Sequence, residues 1–127
     1  MMRRLALIGA LALAAPAQAG FYSGDALYQS CTTPKDDKGF FEASYECVGY
    51  IAGAVDAFKT TREANGLKSC IPADVTISKL RGVTVDYLAA NPKDRAKSAS
   101  SQVFAATRKA WPCPTAKKKP PARKKRR

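Results

Sequence analysis

The segment from Glu42 to Asn65 reads EASYECVGYIAGAVDAFKTTREAN and lies in the longest stretch of the chain without proline. Its larger apolar side chains recur every three or four residues, which places them on one side of a helix: Cys47, Ile51, Ala54, Val55 and Phe58. A second side carries only the small residues Gly49, Gly53 and Ala57. Because no broad charged face is left, we predict a central helix that the rest of the chain surrounds or that packs against a second copy.

The start of the chain has the composition of a secretory signal. Arg3 and Arg4 precede an apolar run from Leu5 to Ala15, and small residues lead up to Ala19. The apolar run is shorter than the roughly 20 residues that a membrane-spanning helix needs. We therefore predict that residues 1–19 are a signal peptide, cleaved near Ala19, and that the mature protein is soluble and periplasmic or secreted.

Export affects the interpretation of the cysteines. The mature chain of 108 residues (127 − 19) contains four of them, Cys31, Cys47, Cys70 and Cys113. An even number of cysteines in a short exported chain indicates two disulfides. A zinc site is the alternative, but the sequence has no CxxC spacing and no histidine. We expect disulfides and no metal.

Positive charge is concentrated at the carboxyl end. Of the 22 lysines and arginines, 2 lie in the predicted signal and 8 in Lys117 to Arg127, which leaves 12 against 10 acidic residues. The tail reads KKKPPARKKRR and has no apolar periodicity, so we predict that it is disordered. Export argues against nucleic acid as its partner. If the tail has a binding partner, an anionic envelope surface is the functional alternative. The simpler interpretation is that the tail only makes the protein more soluble.

The part between the signal and the tail has helical patterns and no strand pattern. Ser23 is a predicted N-cap, Thr76 opens the third helix, Asn91-Pro92 closes it, and Gly66 stops the second. We predict an all-α fold in residues 20–116, a small disulfide-linked bundle of about four helices followed by the disordered basic tail, 117–127. The predicted helices are Gly24 to Gln29 or Cys31, Glu42 to Asn65, Thr76 to Asn91, and about Ser98 to Trp111.

Short loops favour antiparallel neighbours, and an up-and-down order of the helices predicts the disulfide pairing. The end of the first helix and the start of the second then lie at the same end of the bundle, with Cys47 about one turn into the second helix. Cys70 and Cys113 meet at the opposite end. Of the three pairings that four cysteines allow, Cys31 with Cys47 and Cys70 with Cys113 is the one that avoids a bond across the length of the bundle.

The residues offer little for catalysis. Cysteine or serine nucleophiles usually need a histidine base, and no phosphate-binding loop, metal cluster or cofactor motif occurs. Asp56 lies near the small-residue face, and we expect it to be buried and paired to an arginine or tyrosine, with Arg81 as one candidate partner; a buried acid tuned for function is the alternative. The small face itself favours packing within the chain over a dimer contact, and we expect Tyr50, Tyr87 and Trp111 in the core or at its edge. We predict a binding protein and not an enzyme, without cofactors.

Four separated motifs resemble the Rap/Tai family of immunity proteins. They are CVGYIAGAVDA from Cys47, CIP from Cys70 with VTISKLR from Val75, VDYLAANP ending at Pro92, and the segment from Ala99 to AWPC ending at Cys113. The resemblance covers roughly Ser23 to Cys113. It implies a small helical periplasmic protein, commonly a homodimer, that protects bacteria using type VI secretion by binding a peptidoglycan amidase toxin and plugging its catalytic cleft.

Two loops are candidates for contact with the toxin. The first is the connector before the last helix, which is polar, charged and bounded by helices; its predicted partner-binding residues are Asn91, Pro92, Lys93, Asp94, Arg95, Lys97 and Ser98. The second is the loop from Pro34 to Phe41. The segment between Cys31 and Cys47 is longer than the family pattern, and the basic tail is not part of that pattern. An envelope adaptor that binds anionic surfaces through the tail is therefore the alternative function, and a hydrolase is a third.

Overall fold

The structure is a computed structural model that describes residues 21–114, so the predicted signal peptide and basic tail lie outside the described residues. The described part forms four helices: α1 (Gly24–Thr32), α2 (Phe40–Ala64), α3 (Ile77–Ala90) and α4 (Ala99–Ala110), with a 3₁₀ turn at Pro92–Asp94. Its extended structure is limited to one isolated bridge between Ser23 and Ser98. The prediction of an all-α bundle is confirmed. None of the helices within residues 21–114 is long and apolar enough to cross a membrane.

The ends of the helices follow local side-chain chemistry. Ser23 accepts a hydrogen bond from the amide of Ala26 at 3.1 Å, and Thr76 caps α3 in the same way. Gly66 has a φ of +67°, a left-handed conformation that suits glycine after the end of α2. The cap at Ser23, the stop at Gly66 and the start of α3 at Thr76 were predicted. By contrast, α2 begins at Phe40, two residues earlier than expected.

The core is formed by one apolar stripe from each of the four helices. Its buried residues are Leu27, Cys31, Cys47, Ile51, Val55, Leu80, Leu88, Ala99 and Val103. The other three helices all pack against α2, but they leave one side of it exposed. Of the two alternatives for the central helix, a complete surround by the rest of the chain is wrong, and so is the predicted intramolecular packing of the small face; packing against a second copy stays a prediction. Gly49, Gly53 and Ala57 are exposed, and a Cβ built on either glycine meets no atom within 4 Å.

Both predicted disulfides are present. Cys31 bonds to Cys47 and Cys70 to Cys113, with Cα–Cα distances of 5.0 and 4.9 Å. The first bridge is buried in the core, whereas both cysteines of the second are only half-buried. One bridge thus fixes α1 to α2, and the other joins the segments that follow α2 and α4.

The direction of α1 differs from the alternating order. The amide of Gly24 donates to the carbonyl of Lys97, and the amide of Ala99 donates to the carbonyl of Tyr22. The start of α1 therefore lies beside the start of α4, whereas a strict up-and-down bundle would place these ends apart. Cys47 is also two turns into α2 and not one, since α2 begins at Phe40.

Candidate partner-binding site

The predicted connector between α3 and α4 is bonded along its backbone to the start of α1. The amide of Asp25 donates to the carbonyl of Arg95 at 2.9 Å, and that of Gly24 donates to the carbonyl of Lys97 at 2.9 Å. A Cβ on Gly24 would lie 2.8 Å from the Arg95 carbonyl oxygen, so glycine permits this close approach. The connector is consequently held in one shape by the folded domain.

Arg95 contributes most of the side-chain anchoring. Its Nε donates to the carbonyl of Leu88 at 2.7 Å, and its guanidinium carbon lies 3.8 Å from the centre of the Tyr28 ring. A cation so placed is attracted to the ring face. Arg95 is half-buried in these contacts, which makes it a support of the loop and leaves little of its charge for a partner.

The other predicted residues divide into anchors and outward groups. Asn91 donates from Nδ2 to the carbonyl of Tyr87 at 2.8 Å, and Ser98 forms the bridge with Ser23. The exposed residues of the connector are Pro92, Lys93, Ala96 and Lys97. The ammonium of Lys97 lies 2.7 Å from Oδ1 of half-buried Asp94, and this hydrogen bond raises the pKa of Lys97 above its usual value. The connector therefore presents a small basic surface on a fixed backbone.

The second candidate loop forms a turn closed by Asp37, whose Oδ1 accepts from the amide of Gly39 at 2.7 Å. Residues 34–39 are exposed, and Phe40 and Phe41 begin α2. Phe41 and Tyr45 are 75% and 78% exposed, a large amount for aromatic side chains. The sequence interpretation missed this aromatic pair. The sequence pattern that could have revealed it is the spacing of four residues, which places Phe41 and Tyr45 on one side of α2, away from its buried stripe.

The expected buried acid is not found. Asp56 is exposed and makes no ion pair within residues 21–114, where Lys97–Asp94 is the one pair. Arg81 instead donates from Nη2 to the carbonyl of Cys31 at 2.5 Å, where it ties α3 to the end of α1. The pairing of Asp56 with Arg81 was therefore a wrong prediction. Tyr50 and Trp111 pack against the core as expected, and Tyr87 is half-buried.

Nothing in the described part of the chain is arranged for metal chemistry. Residues 21–114 bring together no group of three acidic or cysteine side chains that could hold a metal ion. All four cysteines are in disulfides. The described surface offers two fixed loops, exposed aromatic rings and basic side chains.

Comparison with known proteins identifies the domain. The family model described as Rap1a immunity proteins matches residues 23–113. Neither the curated proteins nor the solved structures provide a match. Because the matched segment covers most of the chain and includes all four helices and both disulfides, the protein belongs to the Rap1a immunity protein family.

Proposed function

We propose that this protein is a periplasmic immunity protein that binds a type VI secretion peptidoglycan amidase and occludes its catalytic cleft with the α3–α4 connector. Membership of the Rap1a family supports the general role, which is to bind a cognate effector toxin. The observation that carries the choice of the connector is its attachment to α1 through the backbone of Arg95 and Lys97.

A fixed loop suits inhibition for a thermodynamic reason. A flexible loop loses conformational freedom when a partner orders it, which costs about 0.5–1.5 kcal/mol for each immobilised side chain. The connector has already lost this conformational freedom when the protein folds, because Asn91, Arg95 and Ser98 are held by α3 and by the start of α1. Its exposed residues can then enter a cleft with little further ordering. The protein itself needs no catalytic group for this role.

The test is a titration of a purified type VI secretion peptidoglycan amidase with the mature protein. We expect amidase activity to fall to zero at a stoichiometric amount, and no hydrolysis of peptidoglycan by the protein alone. Lys93→Glu, on the exposed side of the connector, should weaken inhibition by about tenfold or more. Lys79→Glu makes the same charge change at an exposed position of α3 and should leave inhibition within about twofold.

Three results would count against parts of this assignment. Full inhibition by Lys93→Glu would remove the connector from the interface while leaving the immunity role intact. Absence of any complex with the amidase would remove the amidase as the target. Hydrolysis of peptidoglycan by the protein alone would favour an enzyme.

The second candidate function is attachment to an anionic envelope surface, favoured by the eight basic residues of Lys117 to Arg127. A polybasic segment gains about 1 kcal/mol for each basic residue near an anionic membrane. Removing residues 117–127 should then abolish binding to vesicles that contain phosphatidylglycerol. Unchanged binding after the deletion would eliminate this candidate.

A further inference from the structure

A second surface feature lies near the C-terminal end of α4, away from the connector. A shallow notch with a cavity volume of only about 30 Å³ lies between the last turns of α2 and α4, beside the Cys70–Cys113 bridge. We call it the disulfide-end notch. Its apolar walls are Phe58, Ile71, Phe104 and Trp111. Phe104, the lining residue of α4 nearest the connector, is six residues after Ser98, about 9 Å along the helix axis.

The apolar walls are held in place by the fold. Phe58 and Phe104 meet edge to face with ring centres 5.1 Å apart, and Trp111 is half-buried against the core. Phe104 nevertheless keeps 45% of its surface exposed. Preformed apolar concavities that remain in contact with water are typical of recognition sites, because burial of such surface by a partner is favourable.

The rim of the notch is basic. Lys59, Arg62 and Arg108 line it, and none of them makes an ion pair among residues 21–114. Basic residues in the last turn of a helix also compensate the helix dipole, which accounts in part for Arg62 and Arg108. The dipole does not account for an exposed aromatic wall between them. Aromatic side chains together with arginine are the combination enriched in protein interfaces.

The described part of the chain ends beside this rim. Pro114 is the last described residue and immediately follows Cys113, which lines the notch. The sequence after Pro114 contains eight basic residues, between Lys117 and Arg127. These residues have the same sign of charge as the three at the rim, which favours a negatively charged partner.

We propose that the disulfide-end notch is a docking site for an acidic polypeptide segment that lays one apolar side chain against the exposed ring of Phe104. The carboxylates on either side of that side chain pair with Arg62, Arg108 and Lys59. A polypeptide fits better than a membrane because the exposed apolar surface here is chiefly the single ring of Phe104, whereas binding to a bilayer requires a broad apolar face. This proposal is independent of the amidase proposal, since it uses no residue of the connector.

The test measures fluorescence anisotropy of a labelled peptide of glutamates with a single central phenylalanine, added to the full mature protein. Replacing the central phenylalanine by serine should weaken binding by about tenfold, because the apolar contact is lost. Arg108→Glu should weaken binding by about tenfold, and Lys109→Glu by no more than about twofold. Lys109 is the matched control because it follows Arg108 on α4, is exposed and does not line the notch.

Lys59→Glu provides a second rim variant that does not touch the disulfide, and circular dichroism checks that each variant is folded. Equal binding of the phenylalanine and serine peptides would overturn the proposal, since the tail alone would then account for the attraction. Equal losses in Arg108→Glu and Lys109→Glu would overturn it as well. Binding to phosphatidylglycerol vesicles that is lost in Arg108→Glu, without binding of the peptide, would assign the notch to a membrane surface instead.

Discussion

Arg95 of the connector lies against Tyr28 of α1, with its guanidinium carbon 3.8 Å from the centre of the ring. The same side chain donates to the carbonyl of Leu88 near the end of α3. One residue thus joins the connector to two helices. The shape of the proposed inhibitory loop depends on this contact, together with the backbone bonds from the start of α1.

Replacing Arg95 by methionine keeps much of the apolar stem and removes both polar contacts. We expect the free energy of unfolding to fall by about 2 kcal/mol, from the lost hydrogen bond and the lost cation–π attraction. Urea denaturation measures this difference. Lys93→Met in the same connector is the control, and its exposed side chain should change stability by less than about 0.5 kcal/mol. Equal stabilities of the two variants would show that Arg95 does not anchor the loop.

Gly24 should tolerate no larger side chain. A Cβ there would lie 2.8 Å from the carbonyl oxygen and 3.0 Å from the Cα of Arg95, both backbone atoms that a rotamer change cannot move away. Gly24→Ala should therefore cost about 1–3 kcal/mol and displace the connector. Gly49→Ala in α2 meets open space and should instead stabilise the protein by about 1 kcal/mol, because alanine favours helix. Thermal unfolding of both variants tests the contrast, and two shifts of the same sign would contradict it.

The sequence predicted those features that depend on a few neighbouring residues. Ser23 and Thr76 cap their helices through bonds to amides three residues later, so local pattern was sufficient. The attachment of the connector to α1 was not predictable in this way. It uses backbone groups of residues far apart in sequence, and backbone bonds leave no side-chain signature.

The predicted disulfide pairing was correct, whereas the predicted burial of the small face of α2 was wrong. Cys31 and Cys47 are joined by a short segment, so their pairing followed even though the direction assumed for α1 was wrong. Gly49 and Gly53 were taken as buried because they carry no charge. Small residues do not by themselves indicate burial, and the three shorter helices leave this side of α2 exposed.

Thr84 is fully buried, and its hydroxyl has no hydrogen-bond partner within residues 21–114. A valine has nearly the same shape without the polar atom, so Thr84→Val should raise stability by about 1 kcal/mol. Thr107 is equally buried, but its hydroxyl donates to the carbonyl of Phe104 at 3.0 Å. Thr107→Val should therefore lower stability by about 1 kcal/mol. Chemical denaturation of the pair measures the difference, and a loss at both positions would indicate a bound water at Thr84.

Tyr22 should ionise late at alkaline pH. Burial raises its pKa, Glu46 raises it further, and the hydrogen bond with Ser30 partly opposes these effects. A raised pKa in the folded state means that stability is complete below the unfolded value of about 10 and declines as pH rises through the folded value. Tyrosinate absorbance should contain a delayed component that is absent in Tyr22→Phe and kept in Tyr45→Phe. Persistence of that component in Tyr22→Phe would assign it to another tyrosine.

The two disulfides should differ in their reactivity towards reductants. Cys31 and Cys47 are 2% and 0% exposed, whereas Cys70 and Cys113 are half-buried at the surface. A thiolate must reach a sulfur atom to open a bridge, so mild reduction should open Cys70–Cys113 first. Alkylation followed by peptide mass spectrometry identifies which thiols appear. In denaturant the difference in burial disappears, and the two bridges should then open at similar rates.

Opening Cys70–Cys113 releases a loop of 43 residues and should lower the free energy of unfolding by about 4 kcal/mol. Opening Cys31–Cys47, whose cysteines are 16 residues apart, should lower it by about 3 kcal/mol.

The notch lies beside the second bridge, and the connector does not. Selective reduction should therefore weaken binding of the acidic peptide while amidase inhibition persists. Loss of both activities together would show that the notch and the connector depend on one shared structure, and earlier labelling of Cys31 and Cys47 would contradict the expected order of reduction.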